Sequence, residues 1–376
     1  MYMRPPPVKT NESDHKDARL EEFVKQLDNY DIICCQEVFY TLNSRKQRLI
    51  TYAQKAGFMY HTVSDPPSFF SGYATDGGLI ILSRFPIVES SFGPFPYGVL
   101  SDSLSYKGVL YAKILVAQDR ALHIFNTHTQ ASYYGVDLDN FLATFETRYF
   151  QLKCARKFLE EKTQNAHEND LIIFAGDFNA NGQKDNVKAK EFREQVKHRP
   201  QFDELLDELE NEYGAMIEIL SGHGQDEIVD CVKLACNGES PITYGDVETD
   251  YQGNIIALET VLTDAEDLKT TQSLDYIFQF KRKAQQDRLN LRIKEFHQKN
   301  ILLLDNSKEE DEKSKQITEQ KTRENSAFNS AEVKAFLGPR LEIKVESTIV
   351  EKFFVEGHKF TQLSDHYGIS TELEVL

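Results

Sequence analysis

Apolar residues in this chain fall into short solid runs, separated by longer stretches with helical spacing. Ile32-Ile33-Cys34-Cys35, Leu79-Ile80-Ile81-Leu82 and Leu171-Ile172-Ile173-Phe174-Ala175 are apolar throughout, the pattern of strands covered on both faces. Between them, Leu20, Phe23, Val24 and Leu27 recur at helical spacing with acidic residues near the start, which predicts a helix over 17–30. A second helix is predicted over 44–57, stopping at Gly57, and a long one over 141–162. Residues 109–116 and 121–127 predict a strand pair turning around Gln118-Asp119-Arg120. Strand-like alternation returns at 341–354, and a last strand is predicted over 369–375. Interleaved strands and helices predict an α/β class. The close pairing of 109–116 with 121–127 predicts mixed rather than purely parallel sheets.

Polar residues follow four of these runs: Gln36-Glu37, Asn126-Thr127-His128, Gly176-Asp177-Phe178-Asn179 and Ser364-Asp365-His366. Strand ends of α/β folds are where sites collect. In extended chain, side chains at i and i+2 point the same way, so Asp177 and Asn179 are expected to face one site together. Ser364-Asp365-His366 supplies an imidazole with a carboxylate beside it in sequence. A histidine base with clustered oxygen ligands is the equipment of metal-assisted phosphate-ester hydrolysis.

The charge sharpens this reading. The 376 residues carry a formal net charge of -17, which argues against a stable nucleic-acid complex, because such complexes rest on phosphate neutralisation by Lys and Arg. An acidic protein acting on phosphate esters needs metal ions to attract its substrate. No run reaches the ~18–20 apolar residues needed to span a bilayer, and the N-terminal stretch lacks a signal peptide's hydrophobic core. The five cysteines are scattered and form no disulfide framework. A cytoplasmic setting is expected. After Phe280 the composition changes: 281–296 is basic and helix-prone, and 305–325 has almost no apolar residue. The expectation is one catalytic domain over 1–376 with a charged insert at about 281–340, of which 305–325 is read as a solvated, disordered or loosely helical loop, with a regulatory or partner-binding insert as the alternative.

The order and wording of several strings resemble the endonuclease/exonuclease/phosphatase superfamily, and within it the neutral sphingomyelinases. They are Gln36-Glu37-Val38-Phe39, Asp76-Gly77-Gly78, Leu82-Ser83-Arg84-Phe85-Pro86-Ile87, Lys107-Gly108-Val109-Leu110, Asn126-Thr127-His128, Gly176-Asp177-Phe178-Asn179, Leu274-Asp275-Tyr276-Ile277 and Ser364-Asp365-His366. The resemblance implies a four-layered α/β sandwich, with two mixed, mostly antiparallel sheets flanked by helices. The family's first core strand, with an asparagine at its end, falls just before the match to Tyr2-Met3-Arg4-Pro5-Pro6-Pro7 and is expected to be missing from residues 1–376.

The resemblance also implies roles. Glu37 would bind Mg²⁺, with Mn²⁺ as the alternative ion. His366 would be the general base, with Asp365 and Asp275 near it. Asp177 would position the water or leaving group, Asn179 would bind a phosphate oxygen, and His128 would stabilise charge on the phosphoryl group. Asp275 reads equally as a structural carboxylate, and Asp76 reads as a plain Asp-Gly turn. The implied reaction is hydrolysis of sphingomyelin, a sphingolipid at a membrane surface, to ceramide and phosphocholine by a peripherally bound enzyme. The alternatives are a Mg²⁺-dependent nuclease or phosphoinositide phosphatase of the same superfamily, or an inactive homologue acting as a binding protein. Two aromatic loops, 66–73 and 92–97, are candidates for membrane contact.

Overall fold

A computed structural model describes residues 3–376 except 7, 10–12, 119, 134–136, 184–192, 195–196, 199–206, 208, 266 and 307–334. Helix α1 (Lys16–Val24) is shorter than the predicted 17–30, because the chain tightens into a 3-10 turn at Leu27–Asn29. Strand β1 (Ile32–Cys35) follows, then α2 (Arg45–Lys55), β2 (Tyr60–Val63) and β3 (Ile80–Ser83). After α2 the chain reverses at Gly57, whose φ of +92° is one that L side chains rarely adopt. Strand β4 (Ile87–Pro94) leads to the hairpin β5 (Gly108–Ala117) and β6 (Arg120–His128). The long helix α3 (Leu138–Thr163) and β7 (Leu171–Asp177) come next, then α4 (Glu212–Leu220), β8 (Glu227–Asp230) and α5 (Cys231–Ala235). The last elements are β9 (Asp275–Lys281), α6 (Lys283–Asn306), β10 (Leu341–Glu351) and β11 (Gly368–Val375).

Two principal sheets result. The smaller has order β1-β3-β2 and is antiparallel throughout. The larger has order β8-β9-β7-β6-β5-β4, and only its β6–β7 pair is parallel. The class is therefore mixed α/β, but the mixture is confined to one sheet, whereas two mixed sheets were expected. Their solid apolar runs explain the burial. Leu79 and Ile81 from the small sheet meet Ile114, Ile124 and Ile173 from the large one. On the other face of the large sheet, Phe125, Phe174 and Phe278 pack against Phe141, Phe145 and Leu152 of α3. Helices α1 and α2 cover the small sheet through Leu20, Phe23, Leu49 and Ala53.

A polar bolt joins the sheets beside the strand ends. The fully buried Asn126 donates from Nδ2 to the carbonyls of Cys35 (3.0 Å) and Ile80 (3.1 Å), and its Oδ1 accepts from Gln36 Nε2 at 2.7 Å. Breaking such a bond strands a buried group, which makes the bolt specific.

The terminal strands β10 and β11 form a separate antiparallel hairpin. Among the described residues, β11 has no strand partner but β10, and β1 none but β3. Both strands line one groove of about 270 Å³, floored by Leu122, Ile124, Ile173 and Ile277. No strand of the described residues precedes β1.

The basic, helix-prone start of the insert is helical, and it is docked. Arg282 pairs with Asp226 at 2.7 Å, Gln285 donates to the carbonyl of His167 at 2.7 Å, and Arg288 donates to that of Ala166 at 2.6 Å. Lys281 belongs to β9, so helix α6 grows directly out of the large sheet. Polar stems dock the start of this helix, and farther along Phe296 stacks on Phe336 at 4.4 Å. Residues 307–325 of the charged stretch lie outside the described residues.

Candidate active site

The register of the large sheet sets the first three residues side by side. His128 is paired with Asp177 across the parallel β6–β7 contact, and Asp177 with Asp275 across the antiparallel β7–β9 contact. Paired residues on neighbouring strands project from the same face. Their approach requires Gly176, where an added Cβ would fall 2.2 Å from the Thr127 carbonyl oxygen at a φ of +138°.

His366 arrives on the turn before β11. Its Nδ1 lies 2.8 Å from Asp275 Oδ2 and its Nε2 lies 3.9 Å from Asp177 Oδ2. Of the two carboxylates expected near the imidazole, Asp275 is the one hydrogen-bonded to it. Successive side chains in extended chain point to opposite sides. Asp365 instead accepts from the Ser364 hydroxyl at 3.0 Å and lines the same groove as Glu37, Asp177, Asp275 and His366.

Asp177 and Asn179 also share a site, but not for the reason of extended spacing. Asn179 adopts a left-handed φ of 49°, and its N–H donates to Asp177 Oδ1 at 2.9 Å, closing an Asx turn. Its side-chain amide donates to the Thr129 carbonyl at 3.2 Å. Phe178 between them is buried in the aromatic core, which pins the turn.

Electrostatics separate the two histidines. Burial pulls the His128 pKa well down, and the Lys107 ammonium and His366 add to this. His128 is thus a neutral imidazole with no positive charge of its own. Lys107 Nζ sits 3.1 Å from His128 Nε2, 2.8 Å from Asp102 and 2.8 Å from the Thr129 carbonyl. An ammonium only donates, so His128 Nε2 accepts and the proton resides on Nδ1. The Lys107-Gly108 string marked the resemblance, but nothing in it revealed this contact across the hairpin.

For His366, burial opposes charge, yet Asp275 and Asp177 overcome it and hold the pKa at about 10. Asp177 is pushed up to about 7, chiefly by burial with Asp275 adding, against the pull of His366. Glu37 takes a left-handed φ of 59° at the end of the β1 segment. Burial raises its pKa and the nearby Asp365 raises it further. Two carboxylates thus crowd one pocket, and a hard divalent cation relieves that repulsion with the oxygen donors it prefers. Donor atoms of Asp177, Asp275 and His366 also lie within 4.8 Å of one another. The Asp275–His366 hydrogen bond makes that trio a base-and-carboxylate dyad before a ligand set. The residues present fit a hard divalent cation at Glu37.

Asp76 is buried and accepts from the Tyr40 amide, the Ser64 hydroxyl and Lys46. This buried hub fixes the loop after Glu37 and is more than the simple turn read from sequence. Thr243 and Tyr244, which no motif marked, touch both Asp275 and the His366 segment. Of the two aromatic loops, 92–97 is largely packed: Phe95 is buried, Phe92 meets Tyr106, and Tyr97 stacks on Phe150. Phe69 and Phe70 differ, standing 95% and 94% exposed.

Comparison with known proteins points to one family. The model of the Endonuclease/Exonuclease/phosphatase family matches residues 8–195. A sphingomyelinase of Dictyostelium discoideum is 32% identical across 97% of this chain and 76% of its own length. Sphingomyelinase C of Bacillus cereus is 31% identical across 41% of this chain and 46% of its own. A crystal structure of a beta toxin mutant from Staphylococcus aureus with bound magnesium ions shares the fold, with a TM-score of 0.54 at 18% identity over 98% of this chain and 96% of that one.

Proposed function

From the premise that this chain belongs to the endonuclease/exonuclease/phosphatase family and is a phosphoric diester hydrolase, we propose that it hydrolyses sphingomyelin to ceramide and phosphocholine, with Mg²⁺ as its ion. The observation that carries the reading is the His366–Asp275 contact of 2.8 Å, with the opposite ring nitrogen turned toward Asp177. Asp275 accepts the Nδ1 proton and fixes the tautomer, leaving Nε2 to take a proton from water. Asp177 lies where it can orient that water or the leaving oxygen. His128, kept neutral by burial and Lys107, would bring no positive charge of its own to the phosphoryl group. Asn179 would bind a phosphate oxygen through its amide. Held by Glu37, Mg²⁺ would polarise the phosphoryl oxygens when bound. The two relatives named as sphingomyelinases support the substrate, and the magnesium-bound beta toxin supports the ion.

The test is phosphocholine release from sphingomyelin liposomes with Mg²⁺, set beside EDTA. Release that EDTA abolishes supports the reading. No release, together with Mg²⁺-dependent cleavage of another phosphodiester, would overturn the substrate and keep the reaction class.

The substrate lies in a membrane, and among the described residues no helix is long and apolar enough to cross one. Contact at the membrane surface is therefore proposed through Phe69 and Phe70, whose rings meet edge to face at 5.3 Å with almost no protein cover. Aromatic rings are favoured at that interface. Burying a phenylalanine is worth roughly 1.5–3 kcal/mol. Replacing both with serine should weaken liposome binding at least about tenfold, and leave hydrolysis of a soluble phosphodiester unchanged. Co-sedimentation with liposomes measures the first and a chromogenic diester the second; unaltered sedimentation would place the membrane contact elsewhere.

A further inference from the structure

We propose that Thr243 is a positioning residue for hydrolysis: from a segment outside both elements that carry the dyad, it holds Asp275 and His366 at their bonding distance. The proposal rests on the phosphodiesterase reading for its reaction, but on geometry alone for its contacts. Thr243 is fully buried. Its hydroxyl oxygen accepts from the amides of Leu274 (2.9 Å) and Asp275 (3.1 Å), which fixes the backbone that presents the Asp275 carboxylate. Its carbonyl accepts from the amide of Tyr367 at 2.7 Å, the residue next to His366. Leu274 in turn accepts the Phe178 amide at 2.9 Å, directly after Asp177.

Tyr244 extends the clamp. It exchanges backbone hydrogen bonds with Gln272, bridges His366 in antiparallel fashion, and sets its ring 4.9 Å from the imidazole. One dipeptide thus touches the backbone of two site segments, 272–275 and 366–367, and reaches the turn after Asp177 only through Leu274. A hydroxyl has two lone pairs and can satisfy both amides. Valine fills the same space and can satisfy neither, leaving two buried donors unpaired.

The experiment compares Thr243→Val with Thr243→Ser. Two readouts are taken: kcat and KM for phosphocholine release from sphingomyelin liposomes with Mg²⁺, and the low-field proton resonance of His366 Nδ1–H in the substrate-free protein. Thr243→Val should lower kcat about tenfold or more, leave KM unchanged, and broaden or shift that resonance. Thr243→Ser keeps both lone pairs and should restore both readouts. A folded Thr243→Val protein with wild-type kcat and resonance would overturn the proposal, as would equal losses in both variants, since those would indicate packing alone. If the valine variant does not fold, Thr243→Cys replaces it. Sulfur accepts weakly, so an intermediate kcat and resonance are expected, and wild-type values would again overturn the clamp. Failure of the substrate reading looks different: the wild type releases no phosphocholine, while the resonance still responds to valine and recovers with serine.

Discussion

Replacing His366 with alanine is expected to reduce kcat for phosphodiester cleavage by about 10²–10⁴-fold, the contribution of a positioned general base. The imidazole is the one side chain whose two nitrogens address Asp275 and Asp177 together, at 2.8 and 3.9 Å. Binding of the lipid interface should survive, because Phe69 and Phe70 lie on a different loop. The loss should therefore fall on kcat rather than on liposome affinity. The variant also leaves Asp177 and Asp275 without the imidazole charge that draws Asp177 down, so its thermal stability must be measured in parallel. A folded alanine variant that retains more than a tenth of wild-type kcat would remove His366 from the role of base.

Metal-free protein is expected to lose stability as pH rises, across a wide window. His366 keeps its proton up to about 10 in the folded state, since Asp275 and Asp177 outweigh burial, against about 6.5 when unfolded. A raised folded pKa means that the native state holds more protons between those values. The stabilisation is complete below about pH 6.5 and is lost as pH climbs through about 10. Asp177, raised chiefly by burial from 3.8 to about 7, acts in the same direction at lower pH. Thermal melts in EDTA at several pH values should show a monotonic decline contributed by this pair. His366→Gln should flatten the upper part and move the lower part to higher pH, because Asp177 loses the charge that draws its pKa down. Mg²⁺ at the carboxylates favours neutral imidazole and should flatten it too. In the hydrolysis assay, the requirement for a neutral base predicts a rate rising roughly tenfold per pH unit on the acid limb. A wild-type protein that gains stability between pH 7 and 9 in EDTA, with His366→Gln unchanged, would defeat this account.

Much of the architecture was legible because solid apolar runs and helical periodicity are local signals. Residues 171–175 read as a buried strand and lie within β7, and 44–57 reads as a helix stopping at a glycine, which is what α2 and Gly57 do. The strand ends were legible as places where polar side chains gather, and Glu37, His128, Asp177, Asn179, Asp275, Asp365 and His366 do converge there. Which of the two carboxylates expected near His366 bonds the ring was not legible. Asp365 stands next to His366 in sequence, yet the carboxylate bonded to the imidazole is 91 residues away. That contact depends on the β7–β9 register, which sets Asp275 opposite Asp177. Thr243 and Tyr244 gave no signal because they lie in irregular chain, where their contacts are set by tertiary position. The docking of α6 was hidden for a related reason: its first anchors are arginine and glutamine stems, which in composition look like solvent-facing charge.

Among the described residues, strands β1 and β11 each have a strand partner on one edge alone, beside a common apolar groove. Edges without a strand partner are templates for adding chain, and natural proteins blunt them with charge, proline or cover. Here the blunting is colloidal. A net charge of -17 sets molecules at a distance from one another at low ionic strength. At ~1 M salt the Debye length shrinks to about 3 Å, and this protection is withdrawn while the edges stay as they are. Salting-out, high-salt storage and crystallisation from concentrated electrolytes therefore press on the part of the molecule closest to its chemistry, and dilute buffers at low ionic strength are where the protein keeps best.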